Sequence, residues 1–213
     1  MKLFALALSL AFVVLMASSS RVDAEVISFS FTGDVTSVDA DLLGTFSTSD
    51  TINGSVSFES TTIDSFGGDP TVGRYSNLLN LQFQVGGYSS NTSGGGMIQV
   101  QNAISLDEYL INHQSFSGLT VNGAAPTVFN IGLVDTSAMA FTTDTLPLVP
   151  PTLGSFDSFT NLIRFENNGG KDVRFDLTSF ELSTPAVPEP SSIVLLGIGV
   201  AGLLIRNRRR YSK

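Results

Sequence analysis

Residues 27–31 read ISFSF, a run in which apolar and polar side chains alternate. Successive side chains of a β-strand point to opposite faces of the sheet. Ile27, Phe29 and Phe31 would therefore share one face, and Ser28 and Ser30 would share the other. The stretch predicts a half-buried strand.

The same alternation recurs along the chain. Around Gly54, Ile52, Val56 and Phe58 repeat it, and residues 79–85 and 173–177 do so again, with 180 and 182 extending the last strand in shifted phase. Clusters of Gly, Asn, Asp and Pro separate these runs and predict turns, of which the one at 167–170 joins residues 162–165 and 173–177 as a hairpin. The turn clusters lie at residues 67–70, 86–87, 93–96 and 167–170.

The central region contains no sustained helical stripe of apolar residues. Residues 106–111 would form at most one or two helical turns, and 141–151, with three prolines, predicts an irregular connection. About ten short strands with one apolar face each predict a single all-β domain, an antiparallel β-sandwich or jelly roll, with a closed barrel as the alternative. We expect most of the chain's sixteen phenylalanines to form its core.

Composition excludes several classes of function. The chain has 213 residues, one histidine and no cysteine or tryptophan, so it has no disulfide and too few ligands for a His/Cys zinc site. Between residues 25 and 184, seventeen acidic side chains face four basic ones, a formal charge of −13. Such a region repels phosphate backbones, and we expect no nucleic-acid partner.

The N-terminus has the three parts of a secretory signal peptide. Lys2 supplies the positive region, residues 3–16 the apolar region, and residues 22–24 a small-residue cleavage site. We therefore expect export and cleavage after Ala24. A buried N-terminal helix or a retained membrane anchor is the alternative.

The C-terminus combines a short apolar stretch with a basic end. Nine Leu, Ile and Val side chains lie within residues 193–205. The sixteen residues from 190 to 205 would span roughly 24 Å as a helix, at about 1.5 Å per residue, whereas a bilayer core is roughly 30 Å thick. We therefore expect a marginal membrane anchor with its arginines on the cytoplasmic side.

Residues 187–190 read VPEP and are followed by an apolar helix at 191–205 and an arginine cluster. This ending resembles the PEP-CTERM sorting signal of Gram-negative bacterial surface proteins. The resemblance covers about 25 of the 213 residues. It assigns recognition by the processing enzyme to Pro188, Glu189 and Pro190, and a stop-transfer role to Arg206, Arg208, Arg209 and Arg210.

The resemblance implies a partner and a destination. An exosortase, a membrane-embedded cysteine transpeptidase, would cut near Pro-Glu-Pro after transient anchoring of the chain, which would then reach the cell surface or the extracellular space. Exopolysaccharide is a further partner that it suggests. The chain would thus comprise a signal peptide at 1–24, a β domain at 25–184 and a sorting signal at 185–213. A linker before a permanent single-pass anchor is the plainer interpretation of Pro-Glu-Pro.

Three classes of function remain for the β domain. A structural protein of the extracellular or biofilm matrix needs only an exported, stable body. A carbohydrate-binding module would use exposed aromatic side chains, for which Tyr75, Tyr88 and Tyr109 are the candidates. The third class, a secreted glycan hydrolase, is the least favoured.

Catalysis finds little support in the residues. His113 is the only imidazole in the chain, and its polar surroundings predict a solvent-exposed or loop position. Two carboxylates about 5 to 10 Å apart can hydrolyse a glycoside, and the pairs Asp107 with Glu108 and Glu59 with Glu166 stay open. We expect no enzyme, catalytic residue, metal site or cofactor.

A calcium site is a further alternative. Asp34, Asp39 and Asp41 resemble part of an oxygen-ligand loop, but the EF-hand spacing is absent. We therefore expect a solvated acidic loop at these residues.

Overall fold

The computed structural model describes residues 24–114, 116–166 and 170–183. Eleven strands and two short 3₁₀ turns make up this body. The turns are η1 (Ala40–Leu42) and η2 (Leu153–Ser155). The strands are β1 (Val26–Val38), β2 (Thr51–Glu59), β3 (Val72–Ser76), β4 (Asn80–Val85), β5 (Tyr88–Ser93), β6 (Met97–Ala103), β7 (Leu106–Gln114), β8 (Ala125–Asp135), β9 (Ser158–Phe159), β10 (Leu162–Glu166) and β11 (Gly170–Leu182).

All eleven strands belong to one sheet. Its order is β3-β6-β7-β8-β10-β11-β1-β2-β4-β5. The short strand β9 lies outside this order and pairs with β8. Every pairing between these strands is antiparallel. The all-β antiparallel prediction is therefore confirmed, but the strands form one continuous sheet in place of the two separate sheets of a sandwich.

The sheet curls so that distant strands face each other. Phe83 on β4 stacks against Phe129 on β8 with ring centroids 4.9 Å apart, although four strands separate β4 from β8 in the sheet order. Register shifts in the β1–β11 pairing, between Thr32 and Gly33 and between Val35 and Ser37, help to bend the sheet, because a β-bulge increases local twist. A curled half-barrel can thus enclose a core without a second sheet.

The inner face of the curled sheet is rich in phenylalanine. Phe29 makes edge-to-face contacts with Phe58, at 5.1 Å, and with Phe180, at 5.4 Å. Aromatic pairs of this geometry stabilise a core beyond the area that they bury. The predicted phenylalanine core is confirmed by the buried Phe29, Phe31, Phe46, Phe58, Phe83, Phe116, Phe129, Phe156, Phe165, Phe175 and Phe180.

Two local predictions are wrong. Residues 106–111, expected to form at most one or two helical turns, lie in β7, whose inward positions alternate through Asp107, Tyr109, Ile111 and His113. Two of these four are polar, which hid the alternation. Leu79 was assigned to the apolar face of a strand, but it precedes β4 and is 36% exposed.

The irregular connection predicted at residues 141–151 is confirmed. Residues 136–152 contain no helix or strand, as the prolines of this segment predict. Within the described ranges, no helix is both long and apolar enough to cross a membrane.

Candidate functional site

The predicted sorting residues fall outside the described part of the chain. This holds for the Pro-Glu-Pro motif, the apolar helix at 191–205 and the arginine cluster, and also for residues 1–23 of the signal peptide. Ala24, the expected cleavage point, is the first described residue and is exposed. The sheet begins two residues later, at Val26.

The start of β1 and the end of β11 lie at the same end of the sheet. β1 and β11 are antiparallel neighbours, and Phe29 near the start of β1 lies opposite Leu182 at the end of β11. The described chain ends one residue later, at Ser183. Cleavage after Ala24 and near Glu189 would therefore remove no residue of the sheet.

The three tyrosines proposed for carbohydrate stacking are buried. Tyr109 is 0% exposed, Tyr88 4% and Tyr75 8%. Tyr75 donates its hydroxyl hydrogen to the Asp144 carbonyl at 2.9 Å, and burial raises the pKa of Tyr88 to about 12. A ring packed inside the core cannot stack on a sugar, so the assignment of these tyrosines to a binding surface is wrong.

His113 is also buried, contrary to the expected exposed position. Its side chain is 4% exposed on the inner face of β7. Nε2 lies 2.8 Å from the Gly94 carbonyl oxygen. A carbonyl oxygen only accepts hydrogen bonds, so the imidazole is the donor there and tethers the turn at residues 94–96.

The two carboxylate pairs do not form a glycosidase site. Asp107 and Glu108 are consecutive residues of β7 and point to opposite faces of the sheet. Glu59 pairs with Val26 at the start of β1, whereas Glu166 pairs with Gly170 at the start of β11. Since β1 and β11 are antiparallel, these two glutamates lie at opposite ends of the sheet.

Asp107 and Asp135 instead organise the long loop that follows β8. They are direct cross-strand neighbours on β7 and β8 and are 0% and 4% exposed. Asp107 accepts the backbone N–H of Phe141 at 2.7 Å, and Asp135 accepts those of Met139 and Ala140 at 2.7 and 2.8 Å. Asp135 also accepts the Ser137 hydroxyl, which is the main reason that its pKa lies below the usual value.

The aspartates considered for calcium have protein partners or stand on an open face. Asp39 accepts the backbone N–H of Asp172 at 2.7 Å, and Asp41 pairs with Lys171. Asp34 is exposed on β1. Among the described residues, no group of three or more His, Asp or Glu side chains is arranged to hold a metal ion.

An uncharged polar surface covers the outer face of β2, β4 and β5. Gln82 lies between Ser55 and Asn91 in the cross-strand register, and the next row places Gln84 between Asn53 and Ser89. Of the eleven outward side chains on these strands, ten are neutral and polar, and the exception is an end residue of β2. They are Thr51, Asn53, Ser55, Ser57, Glu59, Asn80, Gln82, Gln84, Ser89, Asn91 and Ser93.

We call these two rows the amide face. All of their residues except Ser55 line an open groove of about 320 Å³. Gln82 donates to the Ser55 hydroxyl at 2.9 Å and Gln84 to the Gly86 carbonyl at 3.4 Å. Local sequence patterns did not reveal this surface. The available signal was a run of outward strand positions without a charge, but only the strand pairing shows that they adjoin.

Comparison with known proteins identifies one segment. Residues 186–210 match the model of the PEP-CTERM protein-sorting motif. No curated protein and no solved structure matches the chain. The matched range contains Pro188, Glu189 and Pro190 and the four arginines of the terminal cluster. The protein therefore carries a C-terminal PEP-CTERM sorting motif, the mark of an exported protein that an exosortase sorts to the cell surface.

Proposed function

We propose that the protein is a structural component of the bacterial surface or of the extracellular, biofilm-associated matrix. The observation that carries the proposal is the PEP-CTERM motif at residues 186–210, C-terminal to a compact β body. Exosortase processing would separate the body from its membrane helix. The body would then act outside the cell by its own stability and surface.

The properties of the body suit an extracellular structural role. Its core holds eleven buried phenylalanines, and its long strands are paired from end to end of the sheet. The chain has no cysteine, so its folding does not depend on an oxidising compartment. These features favour a stable domain that persists without a cofactor.

A non-enzymatic role is part of the proposal. His113 is buried and bonded to a backbone carbonyl, which leaves it poorly placed as a general base. The carboxylate pairs considered from the sequence point to different faces or lie at different ends of the sheet. The buried pair Asp107 and Asp135 is already engaged with the loop after β8.

Transient membrane anchoring of the chain before processing is also part of the proposal. A helix over residues 191–205 would be too short to cross a typical bilayer without local thinning or snorkelling of the arginines. A weak anchor would suit a chain that is to be released. The proposed order is signal cleavage, brief anchoring and exosortase cleavage near Glu189.

Intact mass spectrometry of the protein from its native host tests the proposal. We expect the mature surface form to lack residues 1–24 and everything from near Glu189 onward. Glu189→Ala should leave the unprocessed tail attached and abolish surface delivery, because the motif would no longer be recognised. Glu181→Ala, an exposed glutamate of β11 outside the motif, is the matched control.

Two results would contradict processing by an exosortase. A mature surface protein that retains residues 206–213, or normal delivery of Glu189→Ala, would leave a plain membrane anchor. A deletion strain tests the structural role separately, since loss of matrix cohesion is expected. Unchanged cohesion would contradict that role without affecting the sorting result.

A further inference from the structure

The amide face, defined by Asn53, Ser55, Gln82, Gln84, Ser89 and Asn91, differs from the rest of the acidic body. Seventeen acidic residues lie between residues 25 and 184, yet none of the six is ionisable. The neighbouring outer face of β1 and β11 carries Asp34, Asp176 and Glu181. On the outer faces of β2, β4 and β5, the one charged side chain among the described residues is thus Glu59, at the end of β2.

The amide face also includes an edge of the sheet, where proteins normally discourage contacts with other chains. β5 is the last strand in the sheet order, and an edge strand presents unpaired backbone groups. Edge strands usually carry a lysine, a proline or an inward charge that discourages unwanted contacts. β5 reads YSSNTS and contains none of these. Ser117 bonds the inward side chains of Ser90 and Thr92, which leaves the outward side of β5 open to a contact.

The chemistry of the groove selects the class of ligand. Asn and Gln side chains each offer two N–H donors and a carbonyl acceptor, and Ser offers a hydroxyl that does both. Neighbouring hydroxyl groups of a sugar ring present the same alternation of donors and acceptors. The volume of about 320 Å³ is at the lower end of the roughly 300 to 1,000 Å³ that small-ligand sites occupy.

Charge decides between neutral and anionic sugars. Each of the four basic side chains in the described body is already engaged: Arg164 and Arg174 with Asp172, Lys171 with Asp41, and Arg74 with Gln99. The residues that line the groove include no Lys or Arg to receive a uronate, and a body of charge −13 repels polyanions. From this geometry we infer that the amide face binds a neutral polysaccharide chain.

A second copy of the chain is the competing occupant. Pairing of two β5 edges would align only six residues per chain, with serine and asparagine as the outward side chains. Stable interfaces bury about 1,200 to 2,000 Å² around an apolar centre. Edge pairing lacks that centre and leaves the groove unfilled, so the polysaccharide is favoured.

Affinity electrophoresis of the purified full chain tests the inference without depending on sorting. The chain carries a formal charge of −8 and migrates in a native gel, into which dextran, laminarin, mannan or the polyuronate alginate is cast. A polyoxyethylene detergent is used, because glycoside detergents would compete. We expect retardation by at least one neutral polysaccharide and none by alginate.

Variants locate the site. Gln82→Ala combined with Asn91→Ala removes both amides of the row that begins at Ser55. The affinity measured from the retardation should fall about tenfold, equivalent to about 1.4 kcal/mol. Ser89→Glu, which adds a charge at the exposed edge, should weaken it too and serves if the double variant misfolds. Gln101→Ala, an amide on β6 near the other edge of the sheet, is the control and should stay within about twofold of the wild type.

Three outcomes overturn the inference: no retardation by any of the neutral polysaccharides, retardation by alginate alone, or equal retardation of the wild type and the groove variants. Sedimentation velocity identifies the competing occupant. Self-association that Ser89→Glu abolishes, without retardation by any sugar, would assign the face to a second copy. The inference extends the proposed matrix role, but a failed binding assay with normal loss of residues 189–213 would leave the sorting proposal intact.

Discussion

Gly54 is the point at which the core comes closest to the backbone of β2. A Cβ atom at this position would overlap the ring of Phe31 and the carbonyl oxygen of Gln82, and it would lie 2.8 Å from Cβ of Phe83. All three neighbours are backbone or buried core atoms, which have little room to move away. The alternation of Ile52, Val56 and Phe58 around this glycine reflects the space that the Phe31 ring occupies.

We predict that Gly54→Ala destabilises the protein by about 1 to 3 kcal/mol, as overpacked cores do. Urea unfolding followed by circular dichroism measures the change. Gly87→Ala is the control, because a Cβ at that position meets nothing within 4 Å and should alter the free energy of unfolding by less than about 0.5 kcal/mol. Equal stability of Gly54→Ala and the wild type would contradict the close packing of Phe31 on this strand.

Asp172 joins three parts of the body through one side chain and its own backbone. Its carboxylate accepts Nε and Nη2 of Arg164 at 2.8 and 3.1 Å and Nη2 of Arg174 at 2.8 Å. The hydrogen bonds from Arg164 are the main cause of its lowered pKa. Its backbone N–H binds Asp39, which attaches the segment after β1.

The lowered pKa of Asp172 predicts a defined pH dependence. A carboxyl group whose pKa is lower in the folded state stabilises the fold above its unfolded pKa of about 3.9 and loses this contribution as the pH falls toward the folded value. The free energy of unfolding should therefore be higher for the wild type than for Asp172→Asn above about pH 5. The difference should shrink below about pH 4. Urea titrations of both proteins at several pH values measure it, and a constant difference down to pH 2 would contradict the ion pairs.

At the scale of the element, β1 and β11 contain an unfavourable charge pair. Asp34 and Asp176 are directly opposite in the register and are both exposed. Like charges at such positions destabilise a sheet, because the Cβ atoms of cross-strand neighbours are only about 5 Å apart. The same two strands are the longest of the described body, at 13 residues each, so the repulsion is tolerated.

We predict that Asp34→Asn stabilises the protein by about 0.2 to 1 kcal/mol. Thermal unfolding at low and high salt measures the effect, which should shrink at high salt because exposed charges are screened. A double-mutant cycle with Asp176→Asn is the control, since the second substitution should add less than it does alone. Strict additivity would show that the two carboxylates do not interact.

β7 shows which elements alternation can and cannot reveal. The strand buries one side of its chain throughout, but Asp107 and His113 occupy two of the inward positions. Their burial depends on partners far along the chain, the Phe141 N–H and the Gly94 carbonyl. The local pattern therefore favoured no strand, whereas in β1 every inward side chain from Ile27 to Phe31 is apolar and the prediction succeeded.

At the scale of the whole molecule, the first and last strands hold the sheet together. β11 lies between β10 and β1, and it supplies Val173, Phe175 and Phe180 to the core. Burial of each such side chain stabilises a protein by about 1.5 to 3 kcal/mol. The three contributions together approach the free energy of unfolding of an ordinary domain, about 5 to 15 kcal/mol.

Truncation of the chain tests whether β11, by joining β10 to β1, is needed to close the sheet around its core. A chain of residues 25–166, which lacks β11, should show no cooperative unfolding, because β10 and β1 lose their shared neighbour. A chain of residues 25–183 is the control and should unfold cooperatively, since it retains every strand of the sheet. Circular dichroism on heating distinguishes them. A cooperative transition of the shorter chain would show that the closure by β11 is dispensable.

The sequence by itself determined the class of the body and the sorting motif at residues 186–210. Alternation is a local property, so strands such as residues 27–31 could be recognised without knowing their partners. A sorting motif is also local, and residues 186–210 matched as a linear segment. The absence of cysteine excluded disulfides directly, since a count of residues requires no knowledge of the fold.

Only the tertiary structure decided how the strands adjoin and which polar residues meet. The pairing of β1 with β11 joins residues about 150 positions apart, and local patterns carry no information about such contacts. This long-range pairing made one curled sheet instead of a sandwich and placed the three tyrosines in the core. It also brought Ser55, Gln82 and Asn91 into one row, because a strand's neighbours are chosen by the packing of the whole sheet.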